Sequence, residues 1–402
     1  MCAMKLLLPE KEKQALDLGF SEAFGGKPQY YFSAPGRTEI GGNHTDHQGG
    51  RVLAAAVDLD TRAAVARNAD GRIRIQSRGY PLCEIDLNSL GPRKEEKNST
   101  TALIRGVTAG FRGVGCAVEG FDAYCESTVL PGSGLSSSAA FEVLVETILN
   151  FLFFSEKMTA PEIARIGQMA ENIYFGKPCG LMDQMASAVG NLVEMNFLNQ
   201  DQPEIRPVSF DFSTCGHALC IIDTRASHAD LTGDYAAIPE EMWKICHYFG
   251  KNLLSQVPEE AFYAALPRLR TECGDRAVLR AMHFFEENKR VVKQVSALES
   301  GDFETFLSLV RESGQSSWMY LQNVIPAGAS WRQDMALALA CCGHFLVDRG
   351  AFRVHGGGFA GTVQAFVPED LLKSFQEGMD GIFGAGACHV LSIRPQGGVQ
   401  VF

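Results

Sequence analysis

The stretch that most restricts what this chain can become is LPGSGLSSSAAFEVLV, Leu130 to Val145. Ahead of it, Phe121 to Val129 alternates polar and apolar residues as a half-buried strand does. Behind it, Ser138 to Phe153 has the apolar spacing of a helix. A strand, a glycine-rich turn and a helix therefore follow one another. Unpaired backbone N–H groups and the positive end of the helix dipole meet at such a helix start. Glycines at 132 and 134 let the backbone approach an anion, and the hydroxyls of Ser136, Ser137 and Ser138 stand where one can ligate a hard divalent cation. This is the chemistry of a phosphate site. It is not a Walker loop, because the lysine of GxxxxGK[ST] is missing. Taken alone, the stretch reads better as a flexible Gly/Ser turn with an ordinary helix cap.

Flanking segments set the size of the fold. Strand patterns occur at Tyr30 to Ala34, ending at Pro35-Gly36, and at Val52 to Val57, Arg62 to Arg67 and Arg72 to Gln76. Helical patterns occupy Ala160 to Tyr174, Met182 to Val189, Tyr235 to Tyr248, Asp275 to Leu298, Phe303 to Ser313 and Ser330 to Val347, the last opening near a serine that could cap it. Strands return at Phe352 to His355, Thr362 to Val367 and His389 to Ile393, with a helix near Pro368 to Met379. The charged run Gly91 to Ser99 reads as a solvated loop. At 402 residues the chain exceeds what one core organises, and the polar run Asn199 to Pro207 is the candidate boundary between residues 1–200 and residues 201–402.

Charge narrows the partners. Thirty-six Lys and Arg against 47 Asp and Glu leave −11, so no basic field exists to hold a nucleic acid or an anionic membrane. The longest apolar runs, Ile148 to Phe154 and Ala336 to Cys342, fall short of the roughly 20 residues that span a bilayer. The N-terminal apolar stretch is too short for a signal peptide, and the twelve cysteines show no CxxC spacing. Reduced thiols in a cytoplasmic protein are the expectation.

Three more segments accompany the phosphate turn. Ser33 to Asp58 gathers Arg37, Glu39, Asn43, His44, Asp46 and His47 among glycines, a density of donors and acceptors suited to a hydroxyl-rich ligand. AENIYFGKPCGLMDQMASAVG places Asp183 just inside a helix after Cys179-Gly180, as a catalytic acid or simply as a first-turn carboxylate favoured by the dipole. RVHGGGFAGTVQAFV sets Gly356, Gly357, Gly358 and Gly361 between strands, which alone could be a bulged hairpin.

Together the four segments resemble the GHMP kinases, and among them the galactokinases, whose signatures GRxNxIGEHTDY, PxGxGLSSSA, GxMDQ and GGGFGG they follow in order over nearly the whole chain. The resemblance implies an α/β enzyme of two α+β domains, mixed sheets with helices, and an active site in the cleft between the domains. It implies transfer of the γ-phosphoryl of ATP to the anomeric hydroxyl of a sugar, with Asp183 taking or orienting the hydroxyl proton and Arg37 beside it. Pro131, Gly132, Ser133, Gly134, Leu135, Ser136, Ser137 and Ser138 would line the nucleotide phosphates, and Ser137 and Glu171 would ligate Mg2+. Asn43, His44, Asp46, Gly180 and Tyr235 would hold the sugar. A monomer or weak homo-oligomer acting on a small sugar and ATP is expected. Asn43 stands where the signature has Glu, the partner of the sugar C6 hydroxyl, which opens a choice between galactose and galacturonate. TTALIRG, Thr100 to Gly106, replaces an aromatic adenine-contacting segment, and a non-catalytic sugar sensor is the remaining alternative.

Overall fold

The structure, a computed structural model, describes residues 6–129, 134–177, 179–200, 202–226 and 231–402. Among them the strands are β1 (Tyr30–Gly41), β2 (Arg51–Arg67), β3 (Arg72–Ser77), β4 (Cys83–Asp86), β5 (Phe121–Ser127), β6 (Leu192–Asn196), β7 (Glu204–Pro207), β8 (His217–Asp223), β9 (Ala351–His355), β10 (Thr362–Pro368), β11 (Cys388–Leu391) and β12 (Val399–Val401). The helices are α1 (Glu10–Phe24), α2 (Thr100–Gly113), α3 (Ser137–Phe154), α4 (Ala160–Met169), α5 (Met182–Val189), α6 (Thr232–Tyr248), α7 (Glu259–Ala264), α8 (Leu266–Glu272), α9 (Asp275–Glu299), α10 (Phe303–Ser316), α11 (Asp334–Leu346) and α12 (Leu372–Phe383).

Eight strands form the first sheet in the order β12-β1-β2-β5-β3-β4, with β6 on β2 and β7 on β6; the second sheet is β11-β8-β10-β9. The long β2 is the spine of the first. Its alanines Ala54, Ala55, Ala56, Ala63 and Ala64 are all fully buried, so it is covered on both faces, and it pairs with β1, β5 and β6 along its length. The expected break at Pro35-Gly36 does not occur. A register shift between Pro35 and Arg37 absorbs the proline, whose missing N–H a bulge tolerates, and the Arg37 amide turns to the Leu135 carbonyl (3.0 Å). That one displaced bond ties β1 to the phosphate turn.

Three further expectations change. Glu204–Pro207 and Val399–Val401 are both strands of the first sheet, so a boundary at 200 cuts through it and the chain end returns to the N-terminal half. The run Gly91 to Ser99 is not merely solvated, because Glu96 accepts from Nε and Nη2 of the buried Arg105 at 2.7 and 2.6 Å. The helix predicted from Ser330 begins at Asp334, with Gln333 rather than a serine before it.

In α3, Val143, Leu144, Ile148 and Leu149 are fully buried against the first sheet, each contributing about 1.5–3 kcal/mol. It is the helix long and apolar enough to cross a membrane by composition, but 67% of it is buried within the protein, which accounts for its apolarity. α9 and α10 pack between the sheets, and α11 and α12 cover the outer face of the second. The β1–β2 connection, the first turns of α3 and α5, and the β9–β10 connection thereby converge.

Candidate active site

The N-terminus of α3 begins at Ser136, held in the left-handed region at φ 58°, and Gly134 before it has φ 70°. A Cβ on Gly134 would stand 3.1 Å from both His355 Nδ1 and Thr362 Oγ1, so the glycine is needed for close approach as well as for conformation. Pro131, Gly132 and Ser133 lie outside the described residues.

Asp183, in the first turn of α5, faces this turn. Arg37 Nε donates to its Oδ1 at 2.7 Å, with Arg37 Nη2 2.6 Å from the same oxygen, and Ser136 Oγ donates to Oδ2 at 2.6 Å. Arg37 also donates through Nη1 to the Gly134 carbonyl. Burial pushes the Asp183 carboxyl up, but Arg37, the Ser136 bond and Lys177 outweigh it, so it lies below the usual carboxylate range and is ionised at neutral pH. Ser136 is thus the partner of the acid, a role the sequence did not assign to it.

Asp46 sits on a short 3₁₀ turn beside Asp183. Burial, and then the Asp183 charge, raise its pKa to about 6 against the opposing His47 backbone bond and Arg37. A Cβ on Gly180 would fall 1.9 Å from Asp46 Oδ2, so a side chain there would displace the Asp46 carboxylate. His44, at φ 57°, bonds through Nε2 to the Gly357 carbonyl (3.1 Å), and Tyr235 donates to the Gly358 carbonyl (2.8 Å) with its ring edge-on to Phe359. Both therefore brace the Gly356–Gly358 loop against the cleft.

Asn43 does not fit the sugar-contact role expected of it. It is fully buried: Nδ2 donates to Glu39 Oε1 (3.0 Å) and the Gly356 carbonyl (2.6 Å), while Oδ1 accepts from Asn323 Nδ2 (2.9 Å). Both amide hydrogens are engaged inside the protein, leaving no donor for a C6 substituent. In the signature, Asn stands at the position of Glu39 and Glu at that of Asn43; here the two types are exchanged and bonded to each other. Glu39 in turn pairs with the fully buried Arg353. Below the loop, Glu287 accepts from the Gly42 amide (3.1 Å) and Ser313 (2.7 Å) and pairs with Arg290; burial raises its pKa, but Arg290 and the other cations bring it to about 2.

Glu171 is buried in a single π-helical turn, Ala170–Phe175, an irregularity that places it behind Asp183. Its Oε1 lies 3.3 Å from Lys177 Nζ, and its Oε2 accepts from Gln184 Nε2 (2.9 Å), which also reaches Glu142 (3.0 Å). An ammonium already stands at this carboxylate, so Glu171 fits a cation. Among the described residues no group of three or more His, Cys, Asp or Glu makes a closed metal cage. Ser137 is half-buried at the same helix mouth. Arg353, Asn323, Gln184 and Lys177 were not picked out from the sequence, and Glu39 was gathered in the polar segment without its buried partner Arg353; for Lys177 the spacing of six from Glu171 across Gly176 was the available signal.

This arrangement, an ionised carboxylate clamped by an arginine at the mouth of a glycine-rich helix start, sits within regions that known families share. Residues 19–67 match the galactokinase galactose-binding signature and residues 102–191 the GHMP kinases N terminal domain. The fold resembles that of Lactococcus lactis galactokinase complexed with galactose, with TM-score 0.79 at 24% identity, covering 96% of this chain and 99% of that one. It also resembles Methanococcus jannaschii mevalonate kinase, with TM-score 0.65 at 13% identity, covering 92% and 99%. A Streptomyces coelicolor galactokinase is 32% identical over 384 residues, 95% of this chain and 96% of its own. With likeness running from end to end and the clamped acid in place, this chain belongs to the galactokinase family of GHMP kinases, which are phosphotransferases.

Proposed function

We propose that the protein phosphorylates the C1 hydroxyl of galactose with ATP. The observation that carries this is the Asp183 carboxylate, kept ionised by Arg37 and Ser136 and set beside Asp46 at the mouth of α3. Asp183 accepts the C1 hydroxyl proton as the sugar oxygen bonds to the γ-phosphorus; the bond to the β–γ bridging oxygen breaks and its electron pair leaves with ADP. Arg37 holds Asp183 ionised and faces the charge that develops on the transferred group. The free amides at the start of α3 receive phosphate oxygens. Asp46 accepts from sugar hydroxyls. Glu171 and Ser137 would hold Mg2+, which would supply neutralisation of the phosphate charge.

Galactose is favoured over galacturonate, because a C6 carboxylate needs a donor and both Asn43 amide hydrogens are engaged by Glu39 and the Gly356 carbonyl. A coupled ADP-release assay with galactose, galacturonate, N-acetylgalactosamine and glucose tests the choice. Galactose should give the highest kcat/KM, and Asp183→Ala should abolish turnover while leaving ATP binding within a few-fold. Preference for galacturonate, or full turnover in the variant, would refute the proposal.

A further inference from the structure

Lys177 is not accounted for by the reaction as described, yet it stands within its machinery. After the π-helical turn the chain reverses at Gly176, φ 87°, whose amide and that of Lys177 both bond back to the Glu171 carbonyl at 2.9 and 3.1 Å. The reversal brings the Lys177 side chain over the Glu171 carboxylate, with Nζ 3.3 Å from Oε1. Its charge also acts on Asp183, helping Arg37 and Ser136 hold that carboxyl down against burial, and on Glu142, whose pKa burial still keeps raised. Two features distinguish it from Arg37. The guanidinium of Arg37 is engaged by Asp183 and the Gly134 carbonyl and is nearly buried, whereas the Lys177 side chain is 62% exposed and its ammonium bonds Glu171. The Lys177 stem reaches from solvent to a buried carboxylate, and an ammonium on a four-carbon stem can swing between partners while a forked guanidinium cannot.

We propose that Lys177 is a further catalytic residue with two stations, Glu171 in the protein alone and the oxygens of the transferring phosphoryl group once a divalent cation takes Glu171. This rests on the phosphoryl-transfer reading above. In the step itself the C1 oxygen forms the new P–O bond, the β–γ bridge bond breaks onto ADP, and the proton goes to Asp183. Lys177 gives up no proton; it stays an ammonium and offsets the negative charge spread over the equatorial oxygens. The same residue delays the cation, since its ammonium must leave Glu171 before the ion binds.

The test pairs metal binding with kinetics. Free Mn2+ is read by electron paramagnetic resonance in the presence of a non-hydrolysable ATP analogue, and turnover is measured with galactose. Lys177→Met should bind Mn2+ about two- to five-fold more tightly, because its competitor is gone. It should turn over about tenfold more slowly or worse, with the galactose KM unchanged, and Lys177→Arg should restore part of the rate. An ammonium that did no more than occupy Glu171 would change Mn2+ affinity and leave turnover as it was. Unchanged turnover in Lys177→Met, whatever its Mn2+ affinity, overturns the proposal. Glu171→Gln separates this from the underlying reading: if that variant keeps full Mn2+ affinity, the metal assignment itself fails, independently of Lys177.

Discussion

Replacing Asn43 by Glu would restore the signature residue, and from the sequence alone it should sharpen galactose recognition. The structure predicts damage instead. The new carboxylate would sit where an amide now donates to Glu39 Oε1 at 3.0 Å, in a fully buried position. Two unit charges that close repel by about 5–6 kcal/mol even at an effective dielectric of 20. The cheaper course is for one acid to take a proton, which costs about 4 kcal/mol at pH 7 and about 1 kcal/mol at pH 5 for a group of ordinary Glu pKa. A protonated acid donates to its neighbour and so recovers that bond, but the one to the Gly356 carbonyl is lost, at about 1–3 kcal/mol. Asn43→Glu should therefore lose about 5 kcal/mol at neutral pH, comparable to the whole stability of many domains. The sign with pH follows: the pair's folded pKa is raised, so the deficit grows as pH rises and shrinks by about 3 kcal/mol between pH 7 and pH 5. Urea unfolding of parent and variant at both pH values measures this. A loss under about 1 kcal/mol at pH 7, or an equal loss at both, would refute the buried Glu39–Asn43 bond.

Two other perturbations are tied to single observations. Because the Asp46 pKa is raised to about 6, its acceptor form is lost as pH falls through that value; kcat/KM for galactose should drop below pH 6 while kcat stays level, and a flat kcat/KM profile down to pH 5 would detach Asp46 from the sugar. Gly134→Ala should raise the ATP KM and cost about 1–2 kcal/mol in stability, since it forces an L residue to φ 70° with its Cβ 3.1 Å from His355 and Thr362; an unchanged melting temperature and KM would count against the close approach.

What the sequence made legible is the part whose chemistry fixes residue type at short range. Glycine and serine at a helix start, and an Arg and an Asp in signature positions, name themselves, and Arg37, Ser136 and Asp183 do meet. Hidden instead were partners remote in the chain: Asn43 reads as a free amide among polar neighbours, and only the fold brings Asn323 and Gly356 onto it from about 300 residues away. Strand ends failed for the same reason. Pro35 signals a stop locally, yet the Leu135 carbonyl supplies the bond that the β1 ladder gives up at the bulge. Short edge strands such as β7 and β12 carry too few residues for any period to register, and their place is set by the neighbours they complete. The choice that Asn43 opened between galactose and galacturonate closes in the fold, where its amide is engaged by Glu39 and the Gly356 carbonyl. In a cleft built from two distant halves, a polar residue's role is decided by whichever acceptor the fold delivers first, and at position 43 that acceptor is Glu39.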